Sequence, residues 1–166
     1  MKILFLDVDG VLNNDRALGR AARHNLPTFA LDRHCLGLLK DIVHATGARI
    51  VVSSTWRVNG WKPGTHGHLL LVALSMWDLS MHSSTSLLDE AAHSTKRATR
   101  GDAIDKWLKE QSDIIDSICI LDDLPPSEFG SLAEFHVRTT LRDGLTASTA
   151  ERAIDMLRSR NFSRVS

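Results

Sequence analysis

The chain has 166 residues, 43% hydrophobic and 24% charged, which fits one globular domain over residues 1–166 and excludes a disordered chain. Twenty basic residues balance twenty acidic ones, which argues against a broad electrostatic footprint for nucleic acid or an anionic membrane but leaves room for a local basic cleft. No stretch approaches the ~20 apolar residues of a membrane span, no room for a signal peptide precedes the strand at Lys2, and Cys35 and Cys119 lack zinc spacing, so the expectation is a cytoplasmic protein with two buried thiols.

Lys2 to Leu6 (KILFL) reads as a short buried strand that runs into Asp7, Val8, Asp9 and Gly10. Residues 13–30 contain Gly, Pro and Asn without a clear period and read as loop with some local structure. Asp32 can cap a helix in which Leu36, Leu39 and Val43 recur at helical spacing and which Gly47 ends. Residues 49–53 (RIVVS) form a second buried strand. Residues 59–68 read as loop, and residues 69–77 as an apolar helix. Residues 82–100 carry no clear signal beyond one helical turn near 87–92. Asp102 opens a helix with Ala103, Ile104, Trp107 and Leu108 on its apolar face and acid-before-base pairs Asp102–Lys106 and Asp105–Lys109. Residues 117–121 (SICIL) form a third buried strand that ends in Asp122 and Asp123 and cannot continue through Pro125 and Pro126. Residues 135–138 form a fourth. Ser148 and Glu151 read as a capping box for a last helix lined by Ala150, Ala153, Ile154 and Leu157.

Wholly apolar strands alternating with helices indicate a parallel sheet covered on both faces, with ligands bound beyond the carboxyl ends of the strands. Asp7 and Asp9, residues 53–55, and Asp122 with Asp123 all fall at such ends. Crowded carboxylates repel one another unless a cation joins them, and a small all-oxygen site suits Mg²⁺ together with a substrate phosphate. A carboxylate can attack phosphorus to form an aspartyl phosphate, a second acid two residues along can protonate the leaving oxygen and then activate water, and a hydroxyl with a positive charge can hold the phosphoryl oxygens.

These residues carry a resemblance. DVDGV followed by LN resembles the first motif, D-x-D-x-[TV], of the haloacid dehalogenase-like (HAD) superfamily. VVSST resembles the second, a basic residue before the helix at Asp102 the third, and ILDD the fourth, in the family's order over residues 2–123. SSTWR, RGDAIDKWL and GLT are most similar to the HAD domain of Swiss-army-knife RNA repair proteins. The resemblance implies a Rossmann-like three-layer α/β/α sandwich with a mainly parallel sheet. It implies Asp7 as nucleophile and Mg²⁺ ligand, and Asp9 as general acid/base that also offers its backbone carbonyl to the metal. Asp122 and Asp123 become further Mg²⁺ ligands. The phosphoryl-binding hydroxyl is Ser53 if the strand ends at Val52 and Ser54 if it runs one residue further. The third motif, usually Lys, has three candidates, Lys96, Arg97 and Arg100, of which Arg100 has the better spacing and could grip phosphate bidentately.

Trp56 reads as core rather than contact, and Arg57 as either a substrate contact or a surface charge. His66 and His68 read as loop residues rather than zinc ligands, because no further Cys or His stands at ligand spacing. The short segments after the first and second motifs leave the site capless or minimally capped, open to a nucleic-acid end or a nucleotide as well as to small phosphate esters. The leading expectation is a Mg²⁺-dependent phosphohydrolase acting on RNA or DNA terminal phosphates or nucleotides. The alternatives are a phosphate- or nucleic-acid-end-binding module, a general small-molecule phosphatase, and a phosphotransferase to an acceptor other than water.

Overall fold

The computed structural model describes residues 1–25, 31–86 and 98–162. Five strands form one parallel sheet: β1 (Lys2–Leu6), β2 (Arg49–Val52), β3 (Met81–Ser84), β4 (Ser117–Asp122) and β5 (His136–Arg138), in the order β3-β2-β1-β4-β5. The helices are α1 (Asp15–Arg23), α2 (Arg33–Thr46), α3 (His66–Met76), α4 (Arg100–Glu110) and α5 (Ala147–Arg158), joined by short 3₁₀ turns at Thr55–Arg57, Pro126–Glu128 and Gly130–Phe135. This is the Rossmann-like three-layer arrangement expected from the sequence.

Strand alternation sorts the core into two layers. Leu4, Leu6, Ile50, Val52, Cys119 and Leu121 face α2, α3 and α5, where Leu36, Leu39, Leu70, Leu74, Ala153 and Leu157 cover them. Ile3, Phe5, Val51, Ile118 and Ile120 face Ile104, Trp107 and Leu108 of α4 and Phe129, Leu132 and Phe135 beside it. Trp107 meets Phe5 edge-on at 5.4 Å between ring centres. Central β1 is thus buried on both faces, and the residues that follow it are held firmly at the sheet edge.

Several expectations change. Residues 13–30 are not simply loop: α1 occupies Asp15–Arg23, capped by the Asn14 side chain on Ala17 N–H, and it buries only Ala17 and Ala21, too small a stripe to show as hydrophobic periodicity. Helix α3 begins at His66, inside the stretch read as loop, because Thr65 caps it. Strand β3 was hidden in a polar segment; at the sheet edge it keeps half-exposed side chains. Helix α4 starts at Arg100, two residues before Asp102, because Thr99 is the cap and Asp102 closes the capping box three residues on. Lys109 pairs with Asp105 as expected, while Lys106 reaches Glu110. The last helix is boxed by Thr146 and Thr149 rather than Ser148 and Glu151. The helical turn expected near 87–92 lies outside the described residues. Among the described residues, no helix is long and apolar enough to cross a membrane.

Candidate active site

Each strand hands a polar residue to the carboxyl edge. Asp7 N–H donates to Leu121 carbonyl, Ser53 N–H to Leu6, Thr85 N–H to Val52 and Thr139 N–H to Asp122, at 2.9–3.0 Å, so each ladder extends one bond past its strand. Asp7, Ser53 and Asp122 are buried there, with Asp122 fully enclosed.

Behind Asp7 the chain turns sharply. Leu12 and Asn13 N–H groups return to the Val8 carbonyl, and Gly10 adopts φ +72°. A Cβ on Gly10 would lie 2.5 Å from Asp123 Oδ2. Glycine therefore serves twice: it accepts the left-handed backbone and lets Asp123 close on the turn. One carboxylate oxygen each from Asp7, Asp122 and Asp123 then falls within 4.8 Å of the other two.

That crowding shows in the acids themselves. Burial, and then the neighbouring Asp7 charge, push Asp122 up to about 7, with Arg100 pulling the other way. Asp123 is raised for the same reasons, burial first. Asp122 Oδ1 accepts from Leu124 N–H at 3.0 Å, while Oδ2 is buried without a hydrogen-bond partner. A buried carboxyl oxygen without a hydrogen-bond partner, beside two more carboxyl groups, is a donor set that fits a hard divalent cation.

Arg100 supplies the cation that the site itself carries. As the first residue of α4 it reaches over the sheet edge, because Gly101 lets the helix start settle on Phe129; a Cβ there would come within 2.7 Å of the Phe129 carbonyl oxygen. Its Nη1 donates to the Ser53 carbonyl and lies 3.5 Å from Asp7 Oδ1 and 3.7 Å from Asp122 Oδ2. Lys96 and Arg97, the other candidates for this position, lie outside the described residues.

The two serines divide. Ser53 Oγ is buried and has no hydrogen-bond partner, whereas Ser54 Oγ accepts from Trp56 N–H and caps the turn Thr55–Arg57. Of the two serines, Ser53 alone keeps an unpartnered hydroxyl. Asp9 stands apart from the three-carboxylate group: Oδ1 accepts from Asn13 Nδ2 at 3.2 Å and Oδ2 from the Trp56 indole N–H at 2.9 Å.

Two residues that the sequence reading undervalued belong to this neighbourhood. Trp56 is a core residue, as expected, but it also touches Asp9. Arg57 is neither a surface charge nor a free substrate contact: Nε donates to the Thr85 carbonyl at 2.9 Å, Nη1 to those of Ser53 and Ser54, and Nη2 to that of Ser86 at 3.4 Å. Burial, then Arg100, draws Arg57 down to about 10, still protonated at neutral pH. Their adjacency to the second motif was the one available signal, and it names no partner. His66 packs on Trp56 with ring centres 5.1 Å apart, and neither His66 nor His68 joins a metal-type cluster among the described residues.

Comparison with curated proteins gives no match. A family model described as the HAD domain in Swiss Army Knife RNA repair proteins matches residues 3–150, a span that includes the five strands except Lys2 of β1, the three clustered carboxylates, Ser53 and Arg100. With most of its length inside that match, the chain belongs to the family of HAD domains in Swiss Army Knife RNA repair proteins, within the HAD superfamily of hydrolases.

Proposed function

We propose that the protein is a Mg²⁺-dependent phosphohydrolase that works through an aspartyl phosphate on Asp7. The observation that carries this is the meeting, at one sheet edge, of three clustered carboxylates, the Arg100 guanidinium and the unpartnered Ser53 hydroxyl. Asp7, Asp122 and Asp123, with the Asp9 backbone carbonyl, would hold the ion. Mg²⁺ bound there supplies charge to offset the carboxylates and to polarise the phosphoryl oxygens.

A carboxylate oxygen of Asp7 attacks phosphorus, the bond from phosphorus to the ester oxygen breaks, and Asp9 gives that oxygen its proton. Asp9, now ionised, takes a proton from water as the water oxygen attacks the phosphoryl group. The bond from phosphorus to Asp7 breaks, releasing inorganic phosphate and restoring both acids. Ser53 Oγ and Arg100 hold the phosphoryl oxygens as charge shifts onto them. Lys96 and Arg97 have no part in this assignment, and Ser54 serves the turn.

The activity would reside in one domain over residues 1–166. Among the described residues, α1 and α2 separate β1 from β2, and a turn with α3 separates β2 from β3, which leaves little chain there to cap the site. With the family description, this supports terminal phosphates of RNA or DNA, or nucleotides, as substrates. Cys35 and Cys119 are free and buried, which fits a reducing, cytoplasmic setting.

The test is phosphate release with and without Mg²⁺ from p-nitrophenyl phosphate, nucleoside monophosphates and oligonucleotides bearing 5′ or 3′ phosphates, with Asp7→Asn alongside. Mg²⁺-dependent release that Asp7→Asn lowers by at least ~10³-fold is expected. Normal turnover by Asp7→Asn would refute the assignment. Folded protein that binds Mg²⁺ and an oligonucleotide end yet releases no phosphate would be an end-binding module. Preference for p-nitrophenyl phosphate would mark a general small-molecule phosphatase, and phosphate recovered on added alcohols a phosphotransferase.

A further inference from the structure

Asp9 is held by two donors from two different segments. Asn13 Nδ2 belongs to its own turn, but the Trp56 indole N–H arrives from beyond β2, 47 residues away, and donates to Oδ2 at 2.9 Å. Trp56 is itself fixed. It is 4% exposed and part of the larger core layer, its backbone N–H is tied to Ser54 Oγ at 3.3 Å, and its ring packs on His66. A ring so confined presents its N–H in one direction.

We infer that Trp56 is a positioning residue for Asp9: its indole N–H sets the orientation of the carboxyl group that exchanges protons with the leaving oxygen and with water. The inference rests on the general acid/base role given to Asp9 above. Burial in the core explains why position 56 is large and apolar. It does not explain an N–H aimed at a carboxylate oxygen, since a phenylalanine would fill most of the same space.

The chemistry follows from donor counts. An indole nitrogen donates and cannot accept, and the same holds for the Asn13 amide nitrogen. Each therefore occupies one lone-pair direction on one Asp9 oxygen. The proton that Asp9 transfers must sit on a direction that neither donor fills. Two fixed donors thus restrict where the transferable proton points, which is the alignment that proton transfer in a transition state requires.

Trp56→Phe tests this against a purely structural role through leaving-group dependence. An alkyl phosphate needs a proton on its leaving oxygen, whereas p-nitrophenolate leaves without much help. For Trp56→Phe, kcat is expected to fall roughly 10- to 100-fold on a nucleoside 5′-monophosphate, against about threefold or less on p-nitrophenyl phosphate, with KM little changed. The excess loss should vanish when Trp56→Phe is placed on Asp9→Asn, because Trp56 acts through that carboxyl.

Equal losses on both substrates, a loss that persists undiminished on Asp9→Asn, or no loss at all would overturn the inference and leave Trp56 a packing residue. Should Trp56→Phe fail to fold, site-specific 3-benzothienylalanine at position 56 keeps the shape, replaces N–H with sulfur and is held to the same outcomes. Wild-type protein that releases no phosphate from any substrate would instead bring down the phosphohydrolase reading, and this assignment with it.

Discussion

The two ends of the sheet use similar residues in opposite ways. At the amino end every polar group named here is matched. The Met1 ammonium meets Asp116 Oδ2 at 2.7 Å, and buried Ser117 donates to the Leu157 carbonyl at 2.9 Å. Strand β5 pairs with β4 over Ile120–Asp122 and not further back, and Asn161 stands in for the missing strand by bonding both N–H and C=O of Ile118 at 3.1 Å. At the carboxyl end the opposite holds. Six buried side-chain atoms lack a hydrogen-bond partner among the described residues: Asn13 Oδ1, Ser53 Oγ, Thr85 Oγ1, Ser86 Oγ, Asp122 Oδ2 and Thr139 Oγ1. Five of the six lie at or just past the carboxyl ends of β2, β3, β4 and β5, and the sixth, Asn13, lies in the turn that follows β1. Buried polar groups are normally satisfied, and orphans gathered on one edge are what the proposed ligand site would present.

The largest expected effects separate the two partly buried arginines of the carboxyl edge. Arg100 faces the carboxylates, so Arg100→Met should lower kcat/KM by about 10³-fold, near 4 kcal/mol of transition-state stabilisation, with stability in Mg²⁺ changed by less than about 1 kcal/mol. Arg57 has given its donors to four backbone carbonyls. Arg57→Met should therefore cost about 3 kcal/mol of stability, close to 10 °C in Tm, by stranding buried acceptors. Thermal unfolding and steady-state kinetics on both variants check this. Similar stability losses in the two would erase the distinction between a brace and a ligand-facing cation.

The same substitution at opposite ends gives a finer comparison. Ser53→Ala removes a hydroxyl with no partner, so stability should hold within about 0.5 kcal/mol while kcat/KM falls about 10²-fold, or ~2.7 kcal/mol. Ser117→Ala strands the Leu157 carbonyl and should cost about 1 kcal/mol of stability with activity unchanged. A Ser53→Ala protein that is destabilised and fully active would mean that the carboxyl-end hydroxyls are structural.

What the sequence made legible follows the same division. Strands β1, β2 and β4 are continuous apolar runs, and the acids that end two of them, Asp7, Asp122 and Asp123, could be read as a site from position alone. Strand β2 ends at Val52, the boundary on which the sequence favoured Ser53 over Ser54. Helix α1 was missed because its buried face is only two alanines, and β3 because a polar edge strand lacks period-two alternation. The polar contacts of Trp56 and Arg57 were not legible for a different reason. Their decisive partners are a side chain 47 residues distant and backbone carbonyls up to 29 residues away. Such contacts arise from the fold and leave no periodicity behind.

The smallest expected effect is a difference in pH response between the two ends. Asp122 titrates near 7 in the fold against 3.8 unfolded, so the folded state holds its proton more tightly. Stability that this group contributes in acid is lost as pH rises from about 4 through about 7 in metal-free protein. At the amino end Asp116 is shifted the other way, held low by the Met1 ammonium through a hydrogen bond and charge attraction, so its contribution is complete above 3.8 and is lost only in stronger acid. Between pH 4 and 7, Asp122 responds and Asp116 does not. Mg²⁺ competes with the proton for the Asp122 carboxylate. At a Mg²⁺ concentration equal to its dissociation constant at pH 8, binding adds about 0.4 kcal/mol, and at pH 6, with Asp122 mostly protonated, nearly none. The Mg²⁺-induced rise in Tm, measured against an EDTA control, should therefore be about 1 °C at pH 8 and vanish at pH 6. Asp122→Asn should weaken that dependence, leaving what Asp123 carries, whose carboxyl is raised by the same burial and Asp7 charge, whereas Asp116→Asn should leave it untouched.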